Sequence, residues 1–297
     1  MKTIAENRII YRFNWKHKPA AHVQPGELVT IETEDAFGGQ IRSEKDSVKT
    51  LDWSKVDGAT GPIFIEGTQP GDTLVVEIVN IKVAKKGVIV TVPKHGILAE
   101  KDFGPSTRII ELSKNTADFG DIRLRIRPMI GTIGVTPAEG EIQCGSLGRH
   151  GGNMDVKEIT SGSRLFLPVF VEGALFAAGD VHAVQADGEL CVSAIEVSGR
   201  IQLKFNVIKD KKPEWPVLET EDSYALLACG ETFDEAAKLA TEAAVEALMR
   251  QFDWPFEIAY MFGSLAVDLK INQAVDPKKG VRAVISKKFV DLESFLT

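Results

Sequence analysis

The sequence lacks any uninterrupted apolar run approaching the ~20 residues that a bilayer-crossing helix needs, so neither a helical membrane span nor a membrane partner is expected. Its opening, MKTIAENRIIYRF, has no long apolar centre and no small-residue cleavage site, which predicts a cytoplasmic protein rather than a secreted one. Cysteine is scarce. Cys144, Cys191 and Cys229 are odd in number and without paired spacing, so neither a disulfide framework nor a cysteine zinc knuckle is expected, and burial is their ordinary role. Basic excess is missing too. With 35 Lys and Arg against 42 Asp and Glu, a net charge of −7, no cationic stripe is available to neutralise phosphates, and nucleic acid is not an expected partner. What remains is a globular composition, 44% hydrophobic over 297 residues, near the size at which single cores begin to divide.

Up to about residue 210, short β-branched segments alternate with Gly and Pro, a strand-rich pattern. VTIETEDAFGG alternates Val29, Ile31 and Thr33 with polar neighbours, and PGDTLVVEIVNIKV alternates Leu74, Val76 and Ile78. Both read as half-buried strands, launched by turns at Gly26 and Gly71. VQPGELVTIET and TQPGDTLVVEI share this plan and suggest a duplicated unit. The expected fold is mainly β: a β-sandwich core from residues 1–83 and 131–210, a small β-barrel-like insertion over 84–130, and a C-terminal α+β layer over 211–297. In that last portion Thr232 and Glu235 form a capping box opening DEAAKLATEAAVEALMRQF, and Pro255 is expected to start a second helix. The small residues Ala236, Ala240, Ala243, Ala244 and Ala247 recur at helical spacing. They predict close packing, either across a homodimer or within the chain.

Charge in unlikely surroundings marks the candidate site. AGDVHAVQADGE lies between LFLPVFVEGALF and LCVSAIEV, where an unpaired carboxylate costs several kcal/mol unless paired, protonated or bound to a cation. On one strand Asp180 and His182 face the same side, about 7 Å apart, within reach of one ion. The competing reading is a solvated hairpin turning at Asp187-Gly188. Such a hairpin pairs residue 182 with residue 193 and sets Glu189 about 13 Å along from His182. Just upstream, in GRHGGNMDVK, Gly151 and Gly152 permit unusual backbone angles from which Asn153 and Asp155 project. Two strand ends add Asp35, in ETEDAFGGQ, and Glu66, in GPIFIEGT.

Together these blocks resemble the acetamidase/formamidase family: ETEDAFGGQ, TGPIFIEGTQPGDTLVVEI, GTIGVTPA, the long run GRHGGNMDVKEITSGSRLFLPVFVEGALFAAGDVHAVQADGE, and AIEVSGRIQLKF follow in its order. The resemblance covers most of the chain, and Ala186 departs from a common family glycine. It implies hydrolysis of a short-chain amide to carboxylate and ammonia, with a divalent metal, zinc or else calcium. Carried over by position, it places Asp35, Glu66, Asn153, Asp155, Asp180 and His182 at the site; the chemistry of metal-activated water then assigns Asp35, Asp180 and His182 as ligand candidates and Glu66 or Asp155 as the proton shuttle. Asn153, Gly152 and His150 are substrate-binding candidates, and Asp187 and Glu189 are additional site candidates without an assigned role. Trp15, Trp53 and Phe37 are candidate pocket aromatics. Neither the Gly/Ser-rich signature of Ser-Ser-Lys amidases nor the His-x-His of metal amidohydrolase barrels occurs. Two alternatives stand beside this reading: a cysteine amidase using Cys144 with Glu66 and Lys157, and a non-catalytic β-sandwich binding calcium or carbohydrate.

Overall fold

A computed structural model of the chain describes residues 2–297. Strand accounts for 40% of it and helix for 14%, so the alternating patterns decide the fold class: mainly β. The two turn-then-strand motifs become Leu28–Thr33 and Thr73–Val83, each following a glycine with positive φ. They are not neighbours. Both pair antiparallel with Gly199–Ile208, one on each side.

That trio lies within a nine-stranded sheet ordered Lys2–Ile4, Leu28–Thr33, Gly199–Ile208, Thr73–Val83, Arg164–Pro168, Val217–Glu219, Ser223–Gly230, Lys279–Ser286, Val267–Ile271. A second, seven-stranded sheet runs Leu147–Gly148, Gly151–Asn153, Met129–Gly134, Phe176–His182, Ala59–Ile65, Ile9–Ile10, with Ala21–Val23 also paired to Ala59–Ile65. Val29, Ile31, Val76, Ile78 and Leu203 of the first sheet share one core with Ile63, Ile65, Ile130, Ile133 and Phe176 of the second. The inward-facing alternate residues of two stacked sheets produce such a core. Phe176 and Phe205 meet edge to face across it, with centroids 5.0 Å apart.

Residues between 84 and 130 form two hairpins, Lys86–Thr91 with Ser106–Glu111 and Thr116–Phe119 with Ile122–Arg125. The first shares a satellite core with Phe37, Ile41 and Val48. Its Val88 bridges Glu196, which carries the hairpin to the mouth of the site described below.

Helix α1 (Phe233–Phe252) opens where the capping box predicts: the Thr232 hydroxyl accepts from Glu235 N–H. The Glu235 carboxylate accepts from Glu231 N–H, one residue before the cap. Helix α2 (Phe256–Ala266) follows Pro255. The alanine face of α1 is buried within the chain, against Ser223–Gly230 and Lys279–Ser286. Those alanines therefore give no ground for a dimer; side chains this small let the helix sit close on its own sheet. No helix among the described residues is long and apolar enough to cross a membrane.

Candidate active site

Strand Phe176–His182 lies inside the second sheet and is buried along its whole length. Asp180 and His182 project from it together, with Asp180 Oδ1 3.1 Å from His182 Nε2. The segment that follows departs from an ideal hairpin. His182 bridges Glu196 rather than residue 193, and Glu189 folds back until its Oε1 is 4.0 Å from His182 Nε2. Glu196 Oε2 is closer, at 2.9 Å. Asp155 Oδ1 lies 3.8 Å from the other ring nitrogen, Nδ1. Asp155, Asp180, His182 and Glu196 are each at most 3% exposed.

Backbone geometry singles out the same residues. Asp155, Asp180 and Glu189 have φ of +49°, +53° and +45°, conformations that cost a non-glycine residue of order 1–3 kcal/mol and persist only where the surroundings enforce them. Asp155 and Asp180 also need an absent side chain opposite them. A Cβ on Gly131 would stand 2.4 Å from Asp180 Oδ2 and 2.8 Å from Asp155 Oδ1.

Amides hold the acids in place. Gln185 Oε1 lies 2.6 Å from His182 Nδ1, while Gln185 Nε2 donates to the Asp155 carbonyl at 2.8 Å. Accepting Nδ1–H in this way turns Nε2 toward the carboxylates. Gln273 Nε2 donates to Asp155 Oδ2 and, at 2.9 Å, to Asp276 Oδ2, and Asn153 Nδ2 donates to the same Asp276 oxygen at 3.0 Å. The cluster faces a cavity of about 70 Å³ whose polar wall is Asp57, Asn153, Asp180, His182, Glu189, Glu196 and Asp276; Phe37, Trp53 and His95 also line it. Among the described residues, no Lys or Arg lines it.

Burial, reinforced by neighbouring carboxylates, pushes Asp57, Asp155, Glu189 and Asp276 well above the usual carboxylate range. Glu196 is raised by burial, with His182 partly offsetting the effect. Burial also disfavours charge on His182, but Glu196 and Asp180 outweigh it and hold the imidazole well above its ordinary pKa. One imidazolium cannot neutralise this many acids, so protons or a further cation must enter. Asp155 Oδ1 is buried without a hydrogen-bond donor, as an acceptor awaiting a cation would be. Asp155, Asp180 and His182 form one group, and His182, Glu189 and Glu196 another, with donor atoms of each group within 4.8 Å of one another. Tetrahedral zinc, bound at ~2.0–2.2 Å, sets its donors about 3.3 Å apart. The separations from His182 Nε2 to Asp180 and Glu196, 3.1 and 2.9 Å, fit that size.

The model of the acetamidase/formamidase family matches residues 2–143 and 144–286. The chain belongs to the acetamidase/formamidase family. A crystal structure of a predicted acetamidase/formamidase from Thermoanaerobacter tengcongensis is 38% identical, superposes with a TM-score of 0.95, and is matched over 99% of this chain and 97% of that one. A formamidase of Methylophilus methylotrophus is 28% identical over 73% of this chain and 70% of its own length. An acetamidase of Mycolicibacterium smegmatis is 28% identical over 64% of this chain. The chain spans 63% of that acetamidase, less than two thirds of it.

Within this acetamidase/formamidase chain the expected site residues have separate fates. Asp155, Asp180, His182, Asn153 and Glu189 are brought together. Gly152, at φ +87°, contributes backbone shape, since a Cβ there would lie 2.0 Å from the Ser146 carbonyl oxygen. Asp35 adjoins the cluster without lining the cavity: its Oδ1 accepts from the N–H groups of Phe37 and Gly39 at 2.9 and 3.1 Å. Burial raises its pKa against those two bonds, and Asp180 adds to the rise. Glu66 is not brought in. It sits just past the end of Ala59–Ile65 at the surface, 2.8 Å from His22 Nδ1 on the paired strand Ala21–Val23. His150 is buried against the edge of Phe13, both ring nitrogens unpartnered, outside the cavity lining. Asp187 also lies outside it, bound to Lys157 Nζ and Arg282 Nη2, each at 2.8 Å.

Arg282 itself is 1% exposed. It bonds Asp187, Glu158 and the Ile271 carbonyl, so one cation ties the three segments that carry Glu189, Asp155 and Asp276. Trp53 and Phe37 line the cavity, whereas Trp15 is 53% exposed elsewhere. The thiol arrangement is not assembled. Cys144 is buried against the Ile10 carbonyl, burial and the Asp57 charge push its pKa up, and Lys157 and Glu66 are paired elsewhere.

Asp57, Glu196, Asp276, Gln185 and Gln273 are members that sequence reasoning missed. Glu196 carried a usable signal, an acid inside the apolar run SAIEV, of the kind that marked Asp180. Asp57 and Asp276 stand in VDG and VDP, which are indistinguishable locally from solvated turns.

Proposed function

We propose that the chain is a metal-dependent amidohydrolase cleaving a short-chain amide, of formamide or acetamide type, to carboxylate and ammonia. The observation that carries this reading is the buried Asp155–Asp180–His182 centre, extended by Glu189 and Glu196, of which Asp180, His182, Glu189 and Glu196 line one small cavity in a chain of this family. A divalent ion held there supplies acidity to a water molecule and polarises the amide carbonyl. An imidazole among carboxylates suits zinc; carboxylates alone suit calcium.

The chain's own groups do the rest. Gln185 holds the His182 ring with Nε2 toward the acids. Glu196, whose carboxyl burial raises above its usual range, takes a proton from water and returns it to the departing nitrogen, which leaves as an amine only once protonated. Asn153, fixed by Thr132 and Asp276, offers an amide at the cavity wall to orient the substrate. The cavity is small, about 70 Å³, which favours the smallest amides over longer acyl chains.

An ammonia-release screen over formamide, acetamide, longer amides and urea, with metal analysis on the same preparation, tests the proposal. Turnover of the smallest amides, abolished by chelator dialysis and restored by added metal, is expected. Full activity in verified metal-free protein would overturn the metal role, and no ammonia from any small amide would overturn the reaction.

A further inference from the structure

Two hollows meet at one wall. The cavity of about 70 Å³ at the acidic centre has Phe37, Trp53, Val92 and His95 on its less polar side. Beside it lies a larger groove of about 460 Å³, lined by Val48, Lys49, Trp53, Val92, Pro93 and His95. Trp53, Val92 and His95 belong to both linings, so these three side chains stand between the site and the groove. Among the described residues no carboxylate lines the groove, and apart from Lys49 and the His95 imidazole its walls are apolar.

The wall is carried by two short loops that are themselves well anchored. Trp53 opens the single-turn helix Trp53–Lys55, whose cap Asp52 accepts from Ser54 N–H at 3.1 Å and donates its own N–H to Gln40 Oε1 at 2.8 Å. His95 follows the strand Lys86–Thr91; its N–H donates to the Val92 carbonyl at 3.1 Å, and its Nδ1 lies 3.1 Å from the Pro93 carbonyl oxygen. Val48 and Val92 beneath them belong to the satellite core with Phe37 and Ile41. The backbone of both loops is thereby fixed. The indole and imidazole face each other 8° from parallel, with centroids 6.5 Å apart, and Trp53 remains 50% exposed.

We propose that the Trp53–His95 stack sets the acyl-chain limit of this amidase. The inner cavity takes the amide head, and the stack bars the path by which an unbranched acyl chain would run on into the outer groove. An alkyl chain is the occupant that this groove suits, because Val48, Val92 and Pro93 offer it hydrocarbon and no buried acid opposes it. Removing the indole joins the two hollows and moves the preferred substrate from acetamide to medium-chain primary amides. The proposal rests on the amide-hydrolase reading above.

Ammonia release from acetamide and hexanamide tests it, in wild type, Trp53→Ala, His95→Ala and Trp53→Phe, with circular dichroism to check folding. The readout is the hexanamide-to-acetamide ratio of kcat/KM, in which a loss common to both substrates cancels. Wild type should prefer acetamide. Each methylene moved from water onto an apolar wall is worth about fourfold, so Trp53→Ala should raise the ratio roughly tenfold or more, and His95→Ala should raise it by a smaller factor. Trp53→Phe keeps a ring at the boundary and should stay within about threefold of wild type. An unchanged ratio in either alanine variant, an equal rise in Trp53→Phe, or a wild type that already prefers hexanamide would overturn the partition and leave the amidase reading standing. No ammonia from either amide with any of these proteins would overturn that reading, and the partition with it.

Discussion

Replacing Gly131 by alanine is a direct probe of the acidic centre, because it adds one methyl group and no charge. The new Cβ would stand 2.4 Å from Asp180 Oδ2, where an ordinary contact begins near 3.4 Å, so the carboxylate must retreat by about 1 Å. Asp180 has little room to do so. Its backbone is held at φ +53° in an interior strand, its other oxygen lies 3.1 Å from His182, and Asp155 crowds the same point at 2.8 Å from the added carbon. Metal sites tolerate ligand displacements of about 0.2 Å, and a misplacement near 1 Å at a reacting centre costs on the order of 10²-fold in rate. Overpacking itself costs about 1–3 kcal/mol. Gly131→Ala should therefore remain folded, with a modestly lowered Tm, while kcat/KM on formamide or acetamide falls about 10²-fold and bound metal falls below that of wild type. A variant with wild-type kcat/KM and full metal content would refute the idea that Asp155 and Asp180 act together at this point.

Three further outcomes are expected. His150, 2% exposed, has its pKa lowered to about 4 chiefly by burial, with Lys278 adding to the effect. Because the unfolded chain binds that proton first, its contribution to stability is full above pH ~6.5 and lost as pH falls to 4; urea unfolding should show wild type losing about 2–3 kcal/mol more than His150→Met over that window, and parallel losses in the two proteins would disprove it. Glu196→Gln keeps the shape but cannot move a proton, so kcat should drop about 10²–10⁴-fold, and near-normal kcat would remove Glu196 from the chemistry. Cys144→Ser should retain most of the activity, measured as ammonia release; a loss beyond tenfold would revive a thiol mechanism.

Several features were legible before folding is considered. Period-two alternation in VTIET and TLVVEI located two strands of the large sheet, and Thr232 with Glu235 marked the start of α1. Asp180 and His182 stood out because charge between apolar runs needs a compensating partner, a local energetic statement that survives any fold. Glu66 misled for the complementary reason. An acid at a strand end looks the same whether the strand points into a cavity or, as here, toward His22 at the surface. The alanine face of α1 likewise announced close packing without saying against what.

Sequence alone thus determined the elements and the most costly charges, because hydrophobic periodicity, capping and desolvation act over a few residues. Tertiary structure decided which distant segments meet. Asp57, Asp155, Asp180, Glu196 and Asp276 come from separate stretches, gathered by sheet order, by the folded-back segment after His182, and by Arg282 tying three of the loops together. Electrostatics added a non-local term: each acid's pKa depends on neighbours far away in the chain, so the centre's demand for a cation arises only once they are buried side by side.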